Sequence, residues 1–199
     1  MSPSRPPTYH LLGALLLLTG LLVSGPQALR DALAQSDARD PREIALFDED
    51  AGKAATLFAD EDGADDRARW VHRRWERDRD NEDVRVGPII TDNRVWVARD
   101  VSSAQAIYQD QADKQIDFPE AADMHRGPFK FPKKVELAVD ESTALSACVD
   151  CNGLTGINLH QRVVVRKGNV VSVIYIFGRE KIATADLVLF FVGKLVERM

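Results

Sequence analysis

The chain has 199 residues, of which 45% are hydrophobic and 29% charged, with a formal net charge of -5. That length and apolar content allow one domain with a buried core. The acidic balance offers no field to hold a phosphate backbone, which argues against nucleic acid as a partner.

Residues Leu11 to Val23 are almost purely apolar, follow Arg5 and His10, and give way to Ser24-Gly25-Pro26, where a helix breaks. The run is short for a membrane span and suits the apolar region of a signal peptide. Ala32-Leu33-Ala34 supplies a small-x-small cleavage pattern. An uncleaved anchor from about Tyr9 to Leu29, contacting the membrane through residues 9–29, is the alternative. Under either reading residues 1–34 are a targeting segment. The remainder is extracytoplasmic, in the cell envelope or secreted.

Residues 35–66 read as an acidic linker with a short helix from Pro41 to about Asp50, with Asp40 as its N-cap and Ile44 and Phe47 facing inward. The runs Asp48-Glu49-Asp50 and Asp60-Glu61-Asp62-Gly63-Ala64-Asp65-Asp66 lack the carboxylate spacing of a calcium loop and are read as solvated. An α+β domain is expected over 67–199. Its first strand, Ala68 to Arg77, puts Trp70, His72 and Arg74 on one face and Val71, Arg73 and Trp75 on the other. Interleaved arginines and tryptophans can stack a ligand, or the arginine stems can cover the rings and pair with the flanking acids.

Asp83 to Arg99 is strand-forming, either a hairpin or one bulged edge strand, because Gly87-Pro88 and Thr91-Asp92-Asn93 can both turn. A helix follows from Ser102, with Gln105 completing a capping box and Ala104, Ile107, Tyr108, Ala112 and Ile116 at helical spacing. Phe118 to Lys134 reads as a long irregular segment. Its Phe118, Phe129 and Phe131, set among prolines, either form a partner-binding surface or tuck under the sheet. Val135 to Val139 alternates as a short strand, and Asp140 to Thr143 reads as a turn. A last helix, capped by Thr184, carries Leu187, Val188, Phe190, Phe191, Leu195 and Val196, and is apolar nearly all round at its start.

The clearest pattern is a β-hairpin around Lys167-Gly168-Asn169. It places Val163, Val165, Ile174 and Ile176 on one face and Val164, Val173, Tyr175 and Phe177 on the other. A strand apolar on both faces belongs at the centre of a sheet with a layer on each side. The expected fold is therefore α+β: a mostly antiparallel sheet of about five strands packed by two helices as a sandwich, after the N-terminal signal or anchor helix.

Cys148 and Cys151 precede this hairpin, and outside the cytoplasm two cysteines this close read first as a structural disulfide. A thiol-disulfide protein using the same pair is the alternative, although a reactive thiolate is normally stabilised by a helix N-terminus. Haem attachment is excluded because Asn152 stands where histidine is required. A zinc site would need two further ligands, with His72, His125 and His160 available. No phosphate loop, nucleophile elbow or paired metal-helix histidines occur, so no catalytic residue, metal or cofactor is nominated.

The segment Val165-Arg166-Lys167-Gly168-Asn169-Val170-Val171-Ser172-Val173, followed by Gly178 and a helix ending in Lys194-Leu195-Val196, resembles the extracellular sensor-like domains of bacterial transmembrane Ser/Thr kinases and related exported proteins. The resemblance covers about Val95 to Met199 and implies a non-catalytic binder of a ligand or partner. This chain differs in spacing its cysteines as Cys-x-x-Cys. The expectation is an exported, membrane-associated binding or accessory domain for a protein or small ligand, with Phe118, Phe129, Phe131, Trp70 and Trp75 as its partner surface. A single-span subunit of a membrane complex is the remaining alternative.

Overall fold

The computed structural model describes residues 39–52, 54–78, 87–114, 125–128, 137–149, 158–179 and 185–199. Two single-turn helices, α1 (Pro41–Ile44) and α2 (Asp48–Ala51), precede three strands, β1 (Thr56–Ala64), β2 (Ala68–Glu76) and β3 (Ile90–Ala98). Helix α3 (Val101–Ala112) leads on to β4 (His125–Pro128), β5 (Glu141–Val149), β6 (Asn158–Lys167) and β7 (Val170–Arg179), and α4 (Ala185–Arg198) ends the chain. The fold is α+β. The sheet has seven strands in the order β1-β2-β3-β7-β6-β5-β4, against the five or so expected, and every neighbouring pair is antiparallel. Two meanders, β1 to β3 and β4 to β7, thus meet where β3 pairs with β7.

The β6–β7 hairpin lies where its composition places it. Gly168 has φ +60, a conformation glycine adopts without steric cost, and Lys167 pairs with Val170 across the turn. The turn is tied to its surroundings: Asn169 Nδ2 donates to the Ala98 carbonyl at 2.9 Å, and the Gly168 amide donates to Asp140 at 2.8 Å. Val163, Val165, Ile174 and Ile176 share one buried cluster with Val188, Phe191, Val192 and Leu195 of α4. On the opposite face Val164, Val171 and Val173 pack with Ala104, Ile107 and Tyr108 of α3. The central strands are therefore covered on both faces.

Several elements differ from the sequence reading. The expected linker over 35–66 belongs to the fold, since Thr56–Ala64 pairs along its length with β2. Its carboxylates are not simply solvated: Arg42 of α1 holds both Asp60 and Asp62, and Arg73 of β2 reaches Asp60 at 3.2 Å. The Arg73–Asp60 pair is of the kind anticipated for the arginine-rich strand, whereas the pairs made by Arg42 were not anticipated. The helix expected from Pro41 to Asp50 is split in two. The Leu46 amide donates to Asn93 Oδ1 on β3 at 3.0 Å and the Phe47 amide to Asp50 Oδ2 at 2.8 Å, so neither continues a helical ladder.

Helix α3 starts one residue before Ser102, because the Asp100 carboxylate accepts the Ser103 amide at 2.6 Å. The two hydrogen-bond donors of Ser103, backbone first, hold that carboxyl below its ordinary range. Of the turn expected at Asp140 to Thr143, Glu141 to Thr143 are instead the start of β5. Arg166 grips Asp140 and Glu141 there, and Glu141 pairs with Arg166 across the ladder. Leu137 to Asp140 is irregular where the short strand Val135 to Val139 was expected, and Val135 and Glu136 lie outside the described residues. The long segment Phe118 to Lys134 is interrupted by β4, which pairs with Leu145 to Cys148 at the sheet edge farthest from β1.

Candidate functional site

Two polar regions lie on the sheet. One is the strip left beside α3. Arg162, nearly buried, donates to the Gln111 carbonyl at 2.6 Å and to Gln111 Oε1 at 3.2 Å, tying β6 to the C-terminal end of α3, whose last carbonyls need donors. Burial, then the nearby Arg94 charge, lowers the Arg162 pKa from its ordinary value. On β2 and β3, His72 Nε2 lies 2.8 Å from Asp92 Oδ2, with Glu61 at 3.6 Å from its other ring nitrogen.

His160 Nδ1 lies 2.6 Å from the Tyr175 hydroxyl, and its ring stacks on Phe177 with centroids 4.4 Å apart. Burial pushes the His160 pKa down to about 4. Its folded pKa is therefore below the unfolded value of about 6.5, so its contribution to stability is complete above pH 6.5 and is lost as pH falls toward 4. Unfolding free energy should drop by about 1–3 kcal/mol across that window. The drop should be smaller in His160→Gln, measured by urea denaturation at several pH values. These side chains are engaged with one another and with backbone, and the arrangement holds the sheet and α3 together.

The second region lies at the other helix layer and the free edge of the sheet. A cleft of about 450 Å³ is lined by Phe47, Asp48 and Glu49 around the start of α2, by Leu57 and Asp60 of β1, and by Arg73 of β2. The β1–β2 register shifts between Leu57 and Ala59, a bulge that puts Leu57 and Asp60 on one face although they are three positions apart. The floor is fixed from below: Trp75 donates its indole N–H to Asp48 Oδ1 at 2.8 Å, and Arg73 donates to the Leu46 carbonyl at 2.9 Å. Two guanidinium groups lie over the Phe47 ring, Arg198 at 4.5 Å and Arg73 at 5.5 Å. Arg198 also grips Asp50 at 2.8 Å, so the end of α4 braces α2.

The charges around the cleft are unequal. Asp60 is neutralised by Arg42 and Arg73, and the hydrogen bonds of Arg42 to Asp62 and then Asp60 raise its pKa. Asp48 has the Trp75 indole as its hydrogen-bond donor, and Asp48 and Glu49 make no ion pair with a described residue. Of the cleft lining Leu57 is 40% exposed, while the neighbouring Phe58, 69% exposed, lies against the Arg74 guanidinium at 5.5 Å. Among the described residues no group of three or more His, Cys, Asp and Glu is placed to hold a metal ion.

The expected partner residues fall in different places. Trp75 is 1% exposed and belongs to the core, so its ring is not available to a partner. Its indole nitrogen nevertheless positions a cleft residue. Trp70 is half-buried, opposite Gly63 and Trp96 in the ladder. Phe118, Phe129 and Phe131 lie outside the described residues, as do Cys151, Thr184 and the segment 9–29. Cys148 lies near the end of β5, opposite Leu159. A strand end does not provide the helix dipole that activates a thiolate. Among the described residues no helix is long and apolar enough to cross a membrane.

The cleft was missed in the sequence because its acids read as linker. The only local signal is the apolar run Leu57-Phe58-Ala59 set directly against the acidic run Asp60-Glu61-Asp62. Comparison with protein-family models, curated proteins and solved structures finds no match to this chain.

Proposed function

We propose that the chain is an exported, non-catalytic binding module, carried to the cell envelope by its N-terminal segment, that recognises a protein or small ligand. The observation that carries this reading is the cleft between α2 and β1, whose walls are braced by Trp75, Arg73 and Arg198 while its rim leaves apolar surface and two carboxylates that have no cationic partner among the described residues. A rigid, partly apolar concavity with a few oriented polar groups is a recognition surface. The paired side chains of the α3 strip, by contrast, are used in holding the fold.

The test is gentle isolation of the full chain from its native membrane fraction, with cross-linking mass spectrometry of whatever copurifies and identification of the mature N-terminus. Cross-links should converge on one surface. Leu57→Asp and the pair Phe129→Ala with Phe131→Ala separate the cleft from the proline-phenylalanine segment. Loss of the cross-linked species in either variant, with unchanged thermal unfolding, supports a binding module. A chain that purifies alone from every fraction, with both variants indistinguishable from wild type, overturns it.

A further inference from the structure

Among the described residues β1 has no neighbour on its outer side; this edge of the sheet is nine residues long, and seven of them are exposed. A free edge is a row of unpaired backbone donors and acceptors, ready to take another strand. Natural edges are often protected by charge. Asp60 and Asp62 are paired with Arg42 and Arg73, which leaves Glu61 as the exposed carboxylate of the edge with no arginine partner among the described residues. Antiparallel self-pairing centred on Glu61 would set Glu61 opposite Glu61, and like charges directly opposed are destabilising. Glu61, with Asp48 and Glu49 at the cleft, favours a basic strand instead.

Leu57 and Phe58 are not protective residues. Both expose apolar surface at the start of the strand, and Leu57 lines the cleft together with Phe47, Asp48 and Glu49. A strand added outside β1 sends alternate side chains toward the cleft face. Arg73 lines the cleft but is engaged with Asp60 and the Leu46 carbonyl, so the side chain that fits beside Leu57 and against Asp48 and Glu49 has an apolar stem and a cationic head, which is lysine or arginine.

We propose that the edge of β1 binds an extended basic segment of another protein as an eighth strand of the seven-stranded sheet, with a lysine or arginine side chain in the cleft against Asp48 and Glu49. This rests on the binding-module reading and gives its partner a chemistry. Backbone pairing with β1 supplies affinity, and the cleft supplies selection for a cation at one position.

The experiment uses the detergent-solubilised full chain and a fluorescent decapeptide of alternating lysine and valine, followed by anisotropy. Three companion peptides replace lysine by glutamate, replace valine by serine, or N-methylate alternate backbone amides. The expected result is saturable binding of the lysine-valine peptide, no binding of the glutamate peptide, and loss on N-methylation. The double variant Asp48→Asn with Glu49→Gln should weaken binding roughly tenfold, because asparagine still accepts the Trp75 indole N–H. Absence of saturable binding, equal binding of the N-methylated peptide, or an unchanged double variant overturns the proposal. So does concentration-dependent dimerisation by light scattering that the peptide does not reverse. If native cross-links map to a different surface, the edge proposal fails while the binding-module reading stands.

Discussion

Replacing Asn93 by alanine should lower the unfolding free energy by about 2–4 kcal/mol, although the side chain lies far from any surface a partner could touch. Asn93 is 0% exposed. Its Oδ1 accepts the Leu46 amide at 3.0 Å, and its Nδ2 donates to Ser172 Oγ at 3.1 Å and to the Val173 carbonyl at 3.0 Å. One side chain therefore joins the α1–α2 segment to β3 and β7. Truncation leaves the Leu46 N–H buried without an acceptor, which costs about 1–3 kcal/mol, and adds a small cavity. Asn93→Leu separates the two effects, because it fills the volume while restoring no hydrogen bond. If polarity dominates, leucine will be nearly as damaging as alanine in urea melts, and hydrogen exchange at the Leu46 amide will accelerate in both. Recovery of most of the stability by leucine would make packing the dominant effect.

Asn93 also explains why part of the fold was legible in the sequence and part was not. The β6–β7 hairpin could be read because its information is local: a glycine that tolerates positive φ, and β-branched residues alternating on each side. Both faces were assigned correctly from that pattern. The break between α1 and α2 is set by a residue 47 positions away that captures the Leu46 amide, and no local propensity carries that information. Strand β1 was hidden for a similar reason. Asp60 and Asp62 disfavour a strand locally and are accommodated because Arg42 and Arg73 arrive from other elements. The helix start read at Ser102 lies one residue late, because the Asp100 carboxylate reaches the Ser103 amide. The cleft is built from the elements whose placement depends on distant partners, so the candidate site was the least legible part.

Trp75 joins stability to the proposed recognition, and two substitutions should separate its roles. Trp75→Ala removes the largest of the fully buried side chains from a cluster that includes Val71, Val95 and Ile174, and should cost about 3–5 kcal/mol. That loss reports packing alone. Trp75→Phe keeps an aromatic ring in the core but removes the indole N–H that donates to Asp48 at 2.8 Å. A hydrogen bond to a carboxylate is worth about 1.5–3 kcal/mol when buried, and Asp48 is exposed, so a cost of about 1–2 kcal/mol including the lost ring volume is expected. The phenylalanine variant will stay folded at room temperature with α2 less firmly held, because the bond from β2 to its first residue is gone. The cleft then loses the fixed position of one carboxylate while keeping its charge. Binding of the lysine-valine peptide should weaken severalfold in Trp75→Phe, with the dependence on salt unchanged, since the number of charges is the same. In Asp48→Asn, by contrast, the bond survives and the charge is lost, so the salt dependence should fall. If Trp75→Phe binds the peptide as wild type does, the indole serves the core alone and the cleft does not depend on α2 being pinned.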